Sequence, residues 1–326
     1  MVEGAGFEPA KHEAADLQSA GFDRSPTPPK NSGQFSNRSN FLSTLFNSFV
    51  NLNLKMNTKL QHLDQEFILK SISLENSYKL LDIKVLQSTK STNDDAKNIF
   101  PEITRNGFCY CFIAEEQTSG RGTKGKKWLS PYGKNIYLSL AWKESLPLHE
   151  TEGLSLAVAV AITKTLNQKL DLEIKIKWPN DLILEGKKLG GILIETSVAQ
   201  STTDIVIGLG LNVLMQKSDI NKIDKEWTSI LYHTNKILDR NKISGLLLNS
   251  LLDLTTKFKN YGFKYYKDSF EELNFLKGKN CQVTTEKESN FKGKAYGVTD
   301  KGELLIVSDQ KNLKLRSGTN SILILD

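Results

Sequence analysis

The chain has 326 residues, of which 39% are hydrophobic and 25% charged, with a formal net charge of +6. That length allows two or three domains with a real core, and the charge bias is too mild to demand a nucleic-acid partner. No apolar run reaches the ~20 residues that span a bilayer. The three cysteines, Cys109, Cys111 and Cys281, form neither a metal spacing nor a paired framework, which fits a reducing cytoplasm.

Residues 1–55 differ from the rest. Pro26, Pro28 and Pro29 sit among Ser, Asn and Gly, no periodicity is sustained, and acidic and basic residues balance at five each. Such text is expected to be disordered. Gly6-Phe7-Glu8-Pro9 and Gly21-Phe22-Asp23-Arg24 resemble the TψC arm of a tRNA gene read as protein. Translation is therefore expected to begin at Met56.

From 56 to 79 the text is polar and allows one short helix. A strand is expected over 80–86. Ser91-Thr92-Asn93-Asp94-Asp95-Ala96-Lys97 opens a helix, with Ser91 or Thr92 as cap and both aspartates in the first turn. Strands over 109–114 and 135–142 flank a loop unlike any other part of the chain. Between Gly120 and Lys127 it holds three glycines, one arginine and three lysines. Glycine admits close backbone approach and the cations offset charge, so the loop reads as an anion cradle. It nearly spells a P-loop, because Gly120 to Lys126 has the spacing. However, Lys127 replaces the hydroxyl residue, and a strand follows where a helix is required.

A buried helix is expected over 151–170 and a strand over 174–178, stopped by Pro179-Asn180-Asp181. A hairpin joins 182–184 to 189–195, and another strand covers 204–213. Gly208-Leu209-Gly210 lacks the third glycine of a dinucleotide fingerprint. Two helices follow, over 241–261 and 265–276. Five short alternating runs from 278 onward make a small antiparallel β barrel.

Read together, the islands match a family. Ser91-Thr92-Asn93, the stretch from Glu116 to Trp128, Ser130-Pro131-x-Gly133-x-Asn135, Lys177-Trp178-Pro179-Asn180-Asp181, Lys188-Leu189-x-Gly191-Ile192 and Gly208-x-Gly210-x-Asn212 come in the order found in biotin–protein ligases, which the chain strongly resembles. The resemblance implies an α/β (α+β) fold. A mixed sheet flanked by helices, a class II synthetase-like catalytic core over 56–276, would precede an SH3-like β barrel over 277–326. It also implies a two-step cytoplasmic enzyme. Biotin is activated by ATP and Mg²⁺ as biotinyl-5′-AMP, then passed to a lysine of the biotin carboxyl carrier protein of acetyl-CoA carboxylase. No tightly bound prosthetic group is implied.

Carried over by position, Arg121 and Lys188 are the catalytic cations. Ser91, Thr92, Asn93, Gln117, Gly120, Arg121, Gly122, Lys188, Gly191 and Ile192 would bind biotin. Arg121, Lys124, Lys126, Trp128, Asn180, Asp181, Asn212 and Trp227 would bind ATP or the adenylate, with Asp181 at Mg²⁺. The family often carries a further arginine where Thr123 stands. Bifunctional members add an N-terminal winged helix-turn-helix; no such pattern precedes residue 80, so a monofunctional ligase without specific DNA or membrane binding is expected. Members often pair through sheet edges, so the resemblance allows a homodimer. Lipoate or octanoate attachment uses a related fold but lacks the Lys-Trp-Pro-Asn-Asp island together with this loop. A DNA-binding regulator is suggested by net charge alone.

Overall fold

The computed structural model describes residues 61–199, 202–219, 226–234, 238–284, 291–308, 311–317 and 321–325. The expectations of disorder over 1–55 and of a start at Met56 lie outside those residues.

Two short helices, α1 (Gln65–Lys70) and α2 (Leu74–Ser77), precede β1 (Leu80–Leu86). Then come α3 (Thr92–Asn98), β2 (Cys109–Ala114), β3 (Ile136–Glu144), α4 (Leu154–Leu170), β4 (Lys175–Lys177), β5 (Asp181–Leu184), β6 (Lys187–Ala199) and β7 (Thr202–Leu211). Helices α5 (Arg240–Tyr261) and α6 (Lys267–Leu273) lead to β8 (Asn280–Thr284), β9 (Phe291–Val298), β10 (Leu304–Val307), β11 (Asn312–Leu315) and β12 (Ser321–Ile324).

The first seven strands form one mixed sheet in the order β1-β2-β3-β7-β6-β5-β4. Only β1 and β2 run parallel; the remaining neighbours are antiparallel. The last five form an antiparallel sheet in the order β11-β10-β9-β8-β12.

Strand alternation gives the large sheet two different faces. Cys109, Cys111 and Ile113 of β2, Ile136, Leu138, Leu140 and Trp142 of β3, and Ile205, Ile207 and Leu209 of β7 enter the main core. Leu156, Val160 and Leu166 of α4 and Leu247, Leu251 and Phe258 of α5 belong to the same core. Each such side chain, fully buried, stabilises the fold by roughly 1.5–3 kcal/mol. On the other face Tyr110, Phe112, Ala141 and Val206 pack with Ala96 of α3 and with Ile99, Phe100 and Ile103 just beyond it. Burial pushes the Cys109 and Cys111 thiols well up, so both behave as small apolar core residues.

Three boundaries moved for visible reasons. The helix expected from 151 is a 3₁₀ turn, Leu148–Thr151, then α4 from Leu154, because Gly153 between them has φ 78°. The helix expected to reach 276 stops at Leu273, because β4 recruits the next residues: Phe275 N–H donates to Ile176 O at 2.9 Å. The single short helix expected before β1 is two, capped by Asp64 and Ser73.

Candidate active site

The face carrying α3 also carries a cleft of about 490 Å³, open to solvent. Its floor is β7. Residues Gly208 and Gly210 alternate onto this face, and neither could be larger. A Cβ on Gly208 would collide with the Asn93 amide, and one on Gly210 would stand 2.6 Å from the Trp128 ring. The Gly-x-Gly sequence that fails as a dinucleotide fingerprint thus clears two seats on a strand.

Helix α3 supplies one end of the cleft. Ser91 occupies its N-cap position, yet its side chain makes no capping bond. Gln117 does that work from the loop: its Oε1 accepts from Thr92 N–H at 3.0 Å and from the Thr92 hydroxyl at 3.1 Å. The amide nitrogen of Gln117 then donates to Ser130 Oγ at 3.0 Å. Ser139 Oγ, rising from β3, stands 2.7 Å from Thr92 Oγ1 and 2.6 Å from Asn93 Oδ1, with one hydroxyl proton to share between them. Asn93 Nδ2 donates to Glu195 of β6 at 2.7 Å. Ser91, Thr92 and Asn93 are at most 5% exposed. A buried chain of amides and hydroxyls fixes the Thr92, Asn93 and Gln117 side chains in place.

The basic loop is a small hairpin. Arg121 pairs with Lys127 in an antiparallel bridge, Gly122 N–H donates to Lys126 O at 2.7 Å, and Trp128 N–H donates to Gly120 O at 2.9 Å. A tight turn at Thr123–Gly125 closes it, with Lys124 at φ 59°. The hairpin turns Arg121, Gly122 and Trp128 toward the cleft. Lys124 and Lys126 are exposed at its tip and are not part of the lining. Gly120 lies behind the wall, where a Cβ would stand 2.7 Å from Trp128 O.

The third wall comes from the β5–β6 hairpin. Lys188, Gly191 and Ile192 line the cleft, together with Asn180 in the turn just before β5. Asn180 is locked to Ile192, receiving its N–H at 3.0 Å and donating to its carbonyl at 2.7 Å. Lys188 Nζ stands 5.3 Å from the centre of the Trp128 ring and 2.5 Å from Asp181 Oδ1. The Trp128 indole N–H is buried with no hydrogen-bond partner among the described residues.

Three further expected residues stand beside the cleft rather than on its lining. Asp181 is the partner of Lys188. Asn212, 4% exposed, donates to Thr228 O at 3.0 Å and accepts from Asn135 Nδ2 at 3.4 Å. Trp227 bridges the Lys188 backbone, and its ring lies 6.3 Å from that of Tyr232. Lys188 also gives its N–H to Glu226 O and receives the N–H of Thr228. Segment 226–228 therefore runs as an added strand beside Lys188.

Sequence reasoning gave no site role to two carboxylates, one a first-turn aspartate and the other a residue of the family motif. Asp94 grips Arg121 with both oxygens, at 2.6 and 2.7 Å, and Glu195 lies 3.9 Å from the same guanidinium while taking Lys97 at 2.6 Å. The Arg121 guanidinium holds the Asp94 carboxyl below the usual carboxylate range, against a smaller opposing effect of burial. Asp94 in turn raises Arg121 further. No sequence spacing joins Asp94 to Arg121, 27 residues apart across a turn and a strand. Leu193 and Leu209, which also line the cleft, read in sequence as ordinary strand positions.

Among the described residues no group of three or more His, Cys, Asp or Glu side chains could by itself hold a metal, and no helix is long and apolar enough to cross a membrane.

Residues 85–212 match the model of the biotin/lipoate A/B protein ligase family. The chain is 32% identical over 229 residues to the bifunctional ligase/repressor BirA of Escherichia coli, covering 70% of each chain. It is 31% identical over 198 residues to a biotin–[acetyl-CoA-carboxylase] ligase of Mycobacterium tuberculosis, covering 60% of this chain and 71% of that one. In three dimensions it resembles the biotin protein ligase of Aquifex aeolicus in complex with biotin and ATP, with a TM-score of 0.63 and 26% identity. That match covers 75% of this chain and 99% of the other.

Proposed function

This chain belongs to the biotin/lipoate A/B protein ligase family as a biotin ligase, and we propose that it activates biotin as biotinyl-5′-AMP and passes it to a lysine of biotin carboxyl carrier protein. The observation that carries this reading is the pairing of two kinds of group in one cleft. The fixed side chains of Thr92, Asn93 and Gln117, with the Ser91 hydroxyl beside them on the lining, suit an uncharged polar head group, whereas Arg121 and Lys188 suit anions.

In the first step a biotin carboxylate oxygen forms a bond to the α-phosphorus of ATP. The bond from that phosphorus to the bridging oxygen breaks, and pyrophosphate leaves. Two anions must meet, so Arg121 and Lys188 lower the barrier by offsetting their repulsion and the charge that builds on phosphorus. Trp128, with an unspent indole N–H beside Lys188, suits an acceptor on the adenylate. Lys188 sits on a strand held from the other side by 226–228, and Asp181 holds its ammonium. In the second step the neutral ε-amine of the acceptor lysine attacks the acyl carbon, the acyl–oxygen bond to AMP breaks, and the nitrogen gives up its proton to solvent. The hairpin over the cleft serves to keep water from the mixed anhydride.

Mg²⁺ usually takes one or two protein carboxylates and completes its shell with phosphates and water. Asp181, a single carboxylate beside Lys188 and Asn180, fits that need, so it would hold the ion with the triphosphate. The ion would supply further neutralisation of phosphate charge.

The main test is a mass-shift assay with ATP, biotin or lipoate, and the apo carrier domain. Addition of one biotinyl group is expected; transfer of lipoyl with no biotinyl transfer would favour the related lipoate chemistry instead.

A further inference from the structure

We infer that Asp94 is a positioning residue for adenylate formation, acting through Arg121. The inference rests on the reading of Arg121 as the phosphate-facing cation.

The geometry is specific. Asp94 lies in the first turn of α3 and is not on the cleft lining, whereas Arg121 is. Both carboxylate oxygens of Asp94 are used, one on Nη1 at 2.7 Å and one on Nη2 at 2.6 Å. A planar guanidinium held by two parallel bonds has its plane and direction fixed. Guanidinium offers five N–H donors, so three stay available to a second anion while Asp94 keeps its grip.

The surroundings argue against a chance surface pair. The helix carrying Asp94 and the hairpin carrying Arg121 are tied independently through Gln117, which caps α3 from the loop. Glu195, the other carboxylate near Arg121, is already engaged by Asn93 and Lys97. Arg121 and Lys97 face Asp94 and Glu195. Besides its charge, Arg121 offers an oriented set of donors, and Asp94 is what orients them. As a contribution to folding, a pair whose side chains are 34% and 42% exposed counts for little. Its value lies in holding a group that must meet a phosphate in one geometry, where small misplacement costs rate.

The experiment is a double-mutant cycle read by biotin-dependent ATP–pyrophosphate exchange. Asp94→Ala and Asp94→Asn are made in the natural chain and in an Arg121→Lys background, whose ammonium cannot be gripped by two parallel bonds. In the natural chain a loss of about tenfold in kcat/KM for ATP is expected for either variant. In the Arg121→Lys background the same changes are expected to cost less than about twofold, since the orientation they remove is already gone. Equal losses in both backgrounds, or no loss in the natural chain, would overturn the inference. Asp94→Asn preserves size and serves if the alanine variant does not fold. Absence of exchange in the unaltered protein would sink the ligase reading; normal exchange with additive losses would sink only the role of Asp94.

Discussion

Arg240 and Glu115 form a buried ion pair, Nη1 to Oε2 at 2.7 Å, with side chains 1% and 0% exposed. Glu115 directly follows the strand that feeds the basic hairpin, and Asn135, whose carbonyl also accepts from Arg240, directly precedes the strand that leaves it. The pair is thus the clasp at the root of the hairpin. Arg240→Ala leaves Glu115 charged and buried, so a destabilisation of about 3–5 kcal/mol is expected. Urea unfolding measures it, and a loss under ~1 kcal/mol would show that the clasp is replaceable.

The same clasp reaches back to the start of the described chain. Glu115 Oε1 accepts from Leu63 N–H at 2.6 Å, and Arg240 Nη2 donates to Gln61 O at 2.7 Å. A chain begun at Asp64 loses both bonds and is expected to melt several degrees below the full chain, on the scale of about 1–3 kcal/mol for buried groups left unpaired. Equal melting of the truncated and full chains in a thermal scan would contradict this.

The two glycines of β7 should separate the ends of the cleft. Gly208→Ala presses on Asn93 and is expected to raise the KM for biotin; Gly210→Ala presses on the Trp128 ring and is expected to raise the KM for ATP. Overpacking of this kind costs about 1–3 kcal/mol, so shifts of roughly tenfold or more are expected. Steady-state kinetics with each substrate varied would show the split, and identical effects on both would argue against two ends.

Removing either cation should fall on chemistry. Arg121→Ala and Lys188→Ala are each expected to lower adenylate formation by at least ~10²-fold, the scale of losing one charge-stabilising group. Single-turnover measurement of AMP-adduct formation checks this; near-normal rates would remove the roles assigned to them.

The Arg121 pair also has a pH signature. Its hydrogen bonds hold the Asp94 carboxyl below the ordinary range, so this group is the depressed-pKa case. Whatever the pair contributes is fully present above the ordinary carboxylate pKa of about 3.9 and is lost as pH falls through the lower folded value. Carboxyl ¹³C titration should therefore place Asp94 below an unperturbed aspartate. The Arg121→Ala protein should lose that depression, and an unchanged midpoint would assign it to another cause.

Much of the site was legible because its signals are local. Ser91-Thr92-Asn93, the Gly-Arg-Gly loop, Asn180, Lys188, Gly191 and Ile192 all stand at turns or strand starts that punctuation residues announce, and all but Gly120 of that group line the cleft. Lys124 and Lys126 stood out only by charge, and charge density does not say which side chains a hairpin turns inward. Asn212 read as a ligand because it follows Gly208-x-Gly210. The fold spends its amide on Thr228 and Asn135.

Strand and helix order and two distinct sheets followed from the sequence, because alternation, periodicity and turn chemistry act over a few residues; the family followed from the resemblance of its motif islands. Pairings across the fold did not. Asp94 meets Arg121, Gln117 caps α3, Gly210 seats Trp128 and Arg240 clasps Glu115 only once β2, β3 and β7 are laid side by side. Such contacts depend on strand register and on which face each residue takes, and both are set by burial of the whole sheet rather than by any one segment.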